Sequence, residues 1–506
     1  RAGDTYTQTS SQVLAPKGDI SISAQQVDIG AAHDSATGTN STDFSKTAHG
    51  GSVSIPLLEA AKGIKQSIDA GQATGDSRLE ALAALNAGMQ AFQAVSTAMK
   101  EGPATGIKVS VSLGHNESHS ETTQSGTTAV GSQVKAGGNV DIVAAGAGKE
   151  STLRITGSDV QAGGNVSLKS EGQVDLLAAT STAEQHSKNN SSSASVGVGF
   201  ALGGDQNGFT IDIAVSAARG NADGTDKTNV NSHVDAGKTL TIESGTDTTL
   251  KGAVAKGEQV VANVGGNLNL ESLQDTTTFD SKQESGGVSV SICIPPICYG
   301  VSGSASYSQG KVNGDFASVT EQTGLKAGDG GFQVNVSGNT DLKGAVVTST
   351  QAAVDAKANS LSTGSLTASA IENHDVYDAK SVSVTVGTGG GSGAAYQKSG
   401  DQKSVTESGI SDAALTVAGE TTGNVVTSVR TEIDSSASLG KNWDGQKLQE
   451  QVAAATSVIA QFGSNASKLV GDYAASKTKP IEDARRYEDG KRRQANGEEL
   501  SQAVTK

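Results

Sequence analysis

Short segments of the chain alternate apolar and polar residues with a period of two, the pattern of β-strands that bury one face. The clearest examples belong to a phrase that recurs along the sequence. It reads SQVKAGGNVDI at Ser132–Ile142 and SDVQAGGNVSL at Ser158–Leu168, 26 residues later. A variant covers Ser232–Ile242, and a looser copy begins at Gly324.

Each copy predicts two strands joined by a tight corner. A valine leads to Ala-Gly, a few turn residues follow, and an alternating strand such as Val140–Ile142 comes next. We expect glycine to supply a positive φ at this corner. Strand, corner and strand at intervals of about 20 to 26 residues are typical of a parallel β-helix. The predicted fold class is therefore all-β, an elongated solenoid over residues 1–440.

Longer units leave this solenoid through Ser/Thr-rich stretches and return through the recurring phrase. They predict four β-hairpins inserted between coils, near residues 51–113, 195–215, 287–307 and 381–397. Their alternating segments are shorter than the roughly 9 to 11 residues that a membrane-spanning strand needs. Neighbouring Ser/Thr stretches would have to extend them.

Two regions have helical rather than strand periodicity. Residues 57–100 are rich in Ala, Leu and Met and break at Ala73–Asp76, which predicts two antiparallel helices inside the first hairpin. From residue 441 to 506 we expect a helical segment with a charged end. Its apolar residues recur at helical spacing at Leu448, Val452, Ile459, Phe462, Leu469 and Tyr473.

The composition favours a repeat array rather than a globular core. Aromatic residues make up 3% of the chain, and 64 glycines stand against 6 prolines. The net charge of −15 is spread along the sequence without a basic stripe, so we expect no nucleic-acid partner. The sequence contains no run of 18 apolar residues, so we expect no membrane-spanning helix. Because the chain starts at Arg1 without a methionine, we interpret it as a piece of a longer protein.

Candidate catalytic and metal-binding patterns are weak. His115 and His119 have the spacing of a helical zinc site, but they follow a strand and are interpreted as a polar loop. Ala236–Thr239 resembles the end of a phosphate-binding loop but aligns with the solenoid corners, and Gly389–Ala394 is interpreted as a hairpin tip. We expect no catalytic, cofactor-binding or metal-binding residues and no enzymatic activity. A carbohydrate-cleaving β-helix would need converging acids.

The tip of the third hairpin, Ile292–Tyr299, is unusually apolar. It is either packed on the flank of the solenoid or exposed as a contact point for lipid or a protein partner. Its two cysteines, Cys293 and Cys298, are either buried thiols or a disulfide that pins the turn. The candidate contact residues are Ile292, Ile294, Pro295, Pro296, Ile297 and Tyr299.

These features together resemble a known family. The Ala-Gly-Gly-Asn-Val phrases at 136–140 and 162–166 and the helical insert Asp76–Ala87 resemble the second haemagglutinin-repeat region of two-partner-secreted filamentous proteins. The closing helix Phe462–Ala474 is similar to the segment before the pretoxin region of contact-dependent growth-inhibition effectors. The resemblance covers essentially the whole chain.

The resemblance implies a role that periodicity alone does not show. Such a region would help to deliver a C-terminal toxin across the outer membrane of a neighbouring bacterium. Our own hypothesis for this step is that the hairpins, whose strands alternate small polar with apolar residues, insert into lipid. The alternative is a rigid stalk or adhesin region of a filamentous haemagglutinin-like protein. Implied partners are lipid or protein of the target outer membrane, the two-partner-secretion transporter and a toxin in cis. The implied location is secreted, at the bacterial surface, with holding in the periplasm before delivery.

Overall fold

The computed structural model describes residues 3–101, 107–202, 208–295, 300–388 and 390–504. It contains a stack of 20 short strands, paired in parallel from coil to coil, and an antiparallel sheet of eight long strands. The predicted β-solenoid with inserted hairpins, a helical hairpin and a C-terminal helix is confirmed.

Most solenoid strands contain two to five residues because each coil turns a corner after a few residues, whereas four longer strands continue through a corner at which their register shifts. Each strand pairs with the equivalent segment of the coils before and after it. In chain order they are β1 (Thr5–Thr9), β2 (Gln12–Ala15), β3 (Ile20–Ala24), β4 (Gln26–Gly30), β7 (Gln133–Ala136), β8 (Val140–Ala144), β9 (Thr152–Thr156), β10 (Asp159–Ala162), β11 (Val166–Ser170), β12 (Gln173–Leu177), β15 (Ser232–Ser244), β16 (Thr248–Lys251), β17 (Ala253–Val264), β18 (Leu268–Glu271), β21 (Gly324–Lys343), β22 (Val346–Thr348), β23 (Ser360–Ser369), β26 (Gly409–Ile410), β27 (Ala414–Val417) and β28 (Thr421–Thr422).

The intervening elements form four hairpins and four α-helices. The hairpin strands are β5 (Ala32–Ser54) with β6 (Ile107–Val130), β13 (Ala179–Leu202) with β14 (Gly208–Val230), β19 (Gln274–Cys293) with β20 (Val301–Val319), and β24 (Ile371–Gly387) with β25 (Gly390–Thr406). The helices are α1 (Pro56–Thr74), α2 (Ser77–Glu101), α3 (Gln351–Asp355) and α4 (Gly445–Val504), and a short 3-10 helix covers Gly148–Glu150. Among the described residues, no helix is long and apolar enough to cross a membrane.

The core of the solenoid is a set of aliphatic ladders. Ile142 is aligned with Leu168, which is aligned with Ile242, and all three are fully buried. These are the inward residues of the recurring phrase. Each such side chain contributes about 1.5–3 kcal/mol when it leaves water, so a coil needs only a few of them.

The glycines of the phrase have a different role from the predicted one. Gly137, Gly163 and Gly237 do not have a positive φ. A Cβ on Gly163 would lie 2.5 Å from the carbonyl oxygen of Gly137, and one on Gly237 would lie 2.5 Å from that of Gly163. These residues are glycine because the backbones of stacked coils approach closely at the corner. The expectation of a positive φ was wrong.

The asparagine of the phrase links one coil to the next. The backbone N–H of Asn165 donates to Oδ1 of Asn139 at 2.9 Å, and the N–H of Thr239 donates to Oδ1 of Asn165 at 3.2 Å. The side chains thus accept backbone protons that the corner leaves without a strand partner.

The four hairpins merge into one sheet because of their spacing along the solenoid. Two coils separate each hairpin from the next: β7–β12, then β15–β18, then β21–β23. Two coils rise about 9.6 Å, which is also the width of a two-stranded hairpin, since paired strands lie about 4.8 Å apart. Neighbouring hairpins therefore meet edge to edge, and β6 pairs with β13, β14 with β19, and β20 with β24.

Candidate functional site

Strict alternation gives the hairpin sheet two different faces near its tips. Across the strands, Val111 is aligned with Val198, Val198 with Ile211, and Ile211 with Ile292. Aligned residues point to the same side of a sheet, so one face is aliphatic across the sheet. We call it the apolar face. Its members between 38% and 63% exposed are Val53, Val109, Val111, Leu113, Val196, Val198, Phe209, Ile213, Val215, Val288, Ile292, Val301, Tyr307, Val382, Val384 and Val386.

The apolar face is large for a surface open to solvent. The members lie on seven strands, which at about 4.8 Å span about 34 Å, and five residues at about 3.3 Å span about 17 Å. The product is on the order of 600 Å², at the upper end for the largest patch on a typical monomer, and such patches are often functional.

Towards the solenoid the same side of the sheet becomes charged on β14 and β19, four residues from Val215 and Val288. Nη2 of Arg219 lies 2.5 Å from Oε2 of Glu284, and Nζ of Lys282 lies 2.7 Å from its Oε1. Hydrogen bonds from Lys282 and Arg219 lower the pKa of Glu284 to about 2. Tyr307, one step closer to the tips than Gln309, stands at this boundary. On β24 the apolar face extends further towards the solenoid, because Val382 is aligned with Gln309, in the same row as Glu284.

The opposite side of the sheet is lined by serine, glycine and alanine, and we call it the small-residue face. Near the tips it borders a cavity of about 500 Å³. Lys108 forms an ion pair there with Asp212 at 2.7 Å. Burial raises the pKa of Asp212, but hydrogen bonds from Lys108 and Ser291 outweigh burial and lower it overall. The two faces thus differ in both polarity and side-chain size.

Helix α4 covers part of the small-residue face. Leu448 and Val452, predicted from helical spacing, are buried against Val312 of β20 and Ala379 of β24. Trp443, just before the helix, belongs to the same cluster and is 6% exposed. The C-terminal helix is therefore anchored on the hairpins.

The other side of α4 contacts the helical hairpin through polar side chains. Ser67 of α1 donates to Oε1 of Gln461 at 2.8 Å, and Nδ2 of Asn86 donates to the same oxygen at 3.1 Å. Asn465 donates to Oδ1 of Asn86 at 2.5 Å. Because Ser67 and Asn86 are fully buried, the centre of this three-helix layer is a hydrogen-bond network.

The candidate tip residues are only partly described. Ile292 and Ile294 are each 38% exposed, and Pro295 is exposed. Cys293 is 5% exposed and disulfide-bonded. Pro296, Ile297, Cys298 and Tyr299 lie outside the described residues, so their contact role and the pairing of Cys293 with Cys298 remain predictions.

The histidine pair lies in a strand, which corrects the interpretation as a loop. His115 and His119 both belong to β6. His115 hydrogen-bonds Glu117 at 3.0 Å, and His119 hydrogen-bonds Asp43 at 2.5 Å. Within the described ranges, no group of three or more His, Cys, Asp or Glu side chains is arranged to hold a metal ion.

The pKa of His233 is strongly raised, and its side chain links the solenoid to the base of the third hairpin. Its Nδ1 lies 3.1 Å from Asp159 of the preceding coil, and its Nε2 lies 3.0 Å from Glu321, just after β20. Hydrogen bonds to Asp159 and then Glu321 raise the pKa of His233 to about 10. The charged imidazole thus holds the base of the third hairpin on the solenoid.

The continuous apolar face was not predicted from the sequence. Each alternating segment was recognised, but its alignment with segments of other hairpins was not. The signal in the sequence that could have predicted this alignment is the spacing of one hairpin for every two coils.

Comparisons with known proteins agree with this architecture. A hemagglutinin repeat family model matches residues 113–286 and 280–384. The chain is 32% identical to a Toxin CdiA of Escherichia coli, covering 97% of this chain and 16% of that protein. It is 32% identical to a tRNA nuclease CdiA of Escherichia coli strain NC101, covering 82% and 13%. It is 30% identical to a Deoxyribonuclease CdiA of Yersinia pseudotuberculosis, covering 94% and 46%.

The chain thus spans less than half of the length of each of these relatives. No solved structure matches it. The repeat-family match covers more than half of the chain. The chain belongs to the hemagglutinin repeat family and is a repeat region of the kind found in CdiA proteins.

Proposed function

We propose that this chain is a non-enzymatic region of a secreted surface protein that helps to deliver a C-terminal toxin across the outer membrane of a neighbouring bacterium. In this proposal the apolar face of the hairpin sheet contacts lipid. The supporting observation is that face itself, whose valines stand about half exposed across adjacent strands. Apolar surface contributes about 25 cal/mol per Å² when it leaves water, so a patch on the order of 600 Å² can hold the sheet on a lipid surface.

The dimensions of the hairpins favour shallow insertion. The strands contain 17 to 24 residues, so the Ser/Thr stretches do extend them beyond the about 9–11 residues that span a bilayer. On each strand, however, the apolar segment covers only about 17 Å, about half of the roughly 30 Å hydrocarbon core, and it lies closer to the solenoid on β24 than on β6. We propose contact with one leaflet, with the charged boundary at Arg219 and Glu284 at the headgroups.

The wider setting is proposed from the relatives. Their names describe toxins and nucleases, activities that we assign to parts of those proteins outside the region matched here. By the same reasoning, a two-partner-secretion transporter exports the parent protein to the cell surface, with a stage in the periplasm before delivery. Lipid or a protein of the target outer membrane is the proposed partner, and Ile292, Ile294 and Pro295 extend the contact at the tip.

A rigid stalk or adhesin region is the second candidate. The observation in its favour is the solenoid core, whose stacked coils bury their aliphatic ladders completely and form a stiff rod. In this reading the hairpins bind a specific surface ligand rather than lipid.

Flotation with vesicles of bacterial lipid tests the proposal. The informative variant is Val288→Asp/Val384→Asp on the apolar face. Its matched control is Ser289→Asp/Thr385→Asp, which adds the same charges to adjacent residues on the other face. We expect the native chain and the control to float and the apolar-face variant to sediment. If native chain and both variants float equally, lipid contact lies elsewhere. If none floats, the stalk or adhesin reading is favoured.

A further inference from the structure

We infer that α4 is a removable clasp that holds the hairpin sheet in a resting form, and that the sheet engages lipid fully only after α4 leaves it. This inference rests on the proposed function and adds its regulation. Three observations support it: α4 connects the first and last hairpins, its contact with the helical hairpin is partly polar, and the outer edges of the sheet belong to β5 and β25.

The clasp joins opposite ends of the sheet. The strand order runs β25-β24-β20-β19-β14-β13-β6-β5. Helix α4 packs on β20, β24 and β25 at one end. Helices α1 and α2 are inserted between β5 and β6 at the other end, and they pack against α4. The three helices therefore bridge the first and last hairpins across the small-residue face.

The two contacts of α4 differ in chemistry from the solenoid core. The solenoid buries continuous aliphatic ladders, whereas the contact between α4 and the helical hairpin combines the hydrogen-bonded Ser67, Asn86, Gln461 and Asn465 with a few buried apolar side chains such as Ala83 and Val458. A hydrogen bond between side chains that can also bond water contributes only about 0.5–1.5 kcal/mol net. Detaching the helical layer thus costs much less than opening a coil, and water can satisfy the separated amides.

Removing α4 would uncover the small-residue face and relax the sheet. On the sheet side, its anchor is a small apolar cluster around Leu448, Val452 and Trp443. Without the bridge, the outer edges of β5 and β25 are free to move relative to each other. In lipid, backbone groups at sheet edges must find partners, and we infer that a sheet whose first and last hairpins are bridged by helices cannot bring the edges of β5 and β25 together.

The structure offers a direct way to lock the clasp. A Cβ on Gly463 of α4 would lie 3.4 Å from Cβ of Ser392 in β25, close to the about 3.5–4.5 Å of a disulfide. The locked variant is Gly463→Cys/Ser392→Cys, with Ser392→Cys alone as control. The opposite variant is Val452→Asp, which places a charge in the anchoring cluster and should release α4.

Hydrogen exchange measures the clasp without lipid. In the native chain we expect residues 445–465 to exchange together, at least tenfold faster than the solenoid strands, and the oxidised lock to slow them at least tenfold. Exchange of α4 as slow as that of β8 or β11 would overturn the inference. The Val452→Asp variant keeps the test valid if the lock does not form.

Flotation then separates the clasp from the proposed function. We expect the oxidised lock to reduce vesicle binding at least fivefold and reductant to restore it, with the native chain treated alike as control. A lock that floats as well as the native chain overturns the clasp and leaves the proposed function intact. If nothing floats, the proposed function fails, and the exchange rates alone decide whether α4 is detachable.

Discussion

The indole ring of Trp443 lies against the backbone of Gly314, with ring atoms 2.5–2.7 Å from where a Cβ on Gly314 would stand. Gly314 belongs to β20, and Trp443 precedes α4. The absence of a side chain on the small-residue face thus makes the socket in which the segment leading to the C-terminal helix is anchored.

Replacing Gly314 with alanine should displace Trp443 and weaken the attachment of α4. Overpacking of this kind typically costs about 1–3 kcal/mol. Because the chain has one tryptophan, a red shift of its fluorescence reports the displacement directly. The control is Gly310→Ala on the same strand, where the nearest neighbour of a Cβ is 4.0 Å away. Unchanged emission in Gly314→Ala would contradict the anchoring role.

The ion pairs of His233 should make stability depend on pH. Its folded pKa is raised to about 10, above the unfolded value of about 6.5. The stabilisation is therefore complete below about pH 6.5 and is lost as pH rises towards 10. His233 also lowers the pKa of Glu321, so a second loss occurs in acid, as the pH falls below the ordinary range of a glutamate.

Urea midpoints of the native chain and His233→Gln at several pH values check this. Because the His233 side chain is 37% exposed, solvent screening reduces the effect to about 1 kcal/mol. We expect the native chain to lose its advantage over the variant between pH 6.5 and 10. A constant difference across that range would show that His233 does not act through its charge.

The sequence predicted the solenoid because its core signal is local. Residues such as Val140 and Ile142 alternate within one phrase, and the phrase repeats. The length of the hairpins escaped prediction because strands such as β5 are built mostly from Ser, Thr, Gly and Asn and have no hydrophobic pattern near the solenoid. The four hairpins join into one sheet because the rise of two coils matches the width of a hairpin. This match cannot be recognised in the sequence of any single segment.

The C-terminal helix was also predicted from local spacing, but which of its residues are buried depends on distant parts of the fold. Leu448 and Val452 are buried as helical spacing suggested, but Tyr473 is 66% exposed. Spacing identifies an apolar stripe, whereas burial depends on where the underlying sheet ends. Similarly, the recurring glycine was found easily, but its cause, the neighbouring backbone at Gly163 and Gly137, lies in another coil.

The role of the corner glycine can be tested with Gly163. A close approach of backbones predicts that Gly163→Ala and Gly163→Asn both destabilise the solenoid, by about 1–3 kcal/mol. A positive φ would instead predict that asparagine is tolerated better than alanine. The control is Gly18→Ala, because nothing lies within 4 Å of a Cβ there. Thermal unfolding followed by circular dichroism distinguishes the two, and a clear advantage of asparagine would refute the close-approach explanation.

The polar network at the centre of the helical layer should stabilise the three helices without affecting the stability of the solenoid. Asn86→Ala removes one of the two donors to Oε1 of Gln461 and the acceptor of Asn465, and a hydrogen bond lost in a partly buried network costs about 0.5–1.5 kcal/mol. We expect hydrogen exchange in α1, α2 and the first turns of α4 to speed up at least fivefold while β8 and β11 are unchanged. The control Gln72→Ala alters an exposed residue of α1. Equal acceleration in the solenoid would mean that the helices and coils unfold as one unit, so that α4 could not be released by itself.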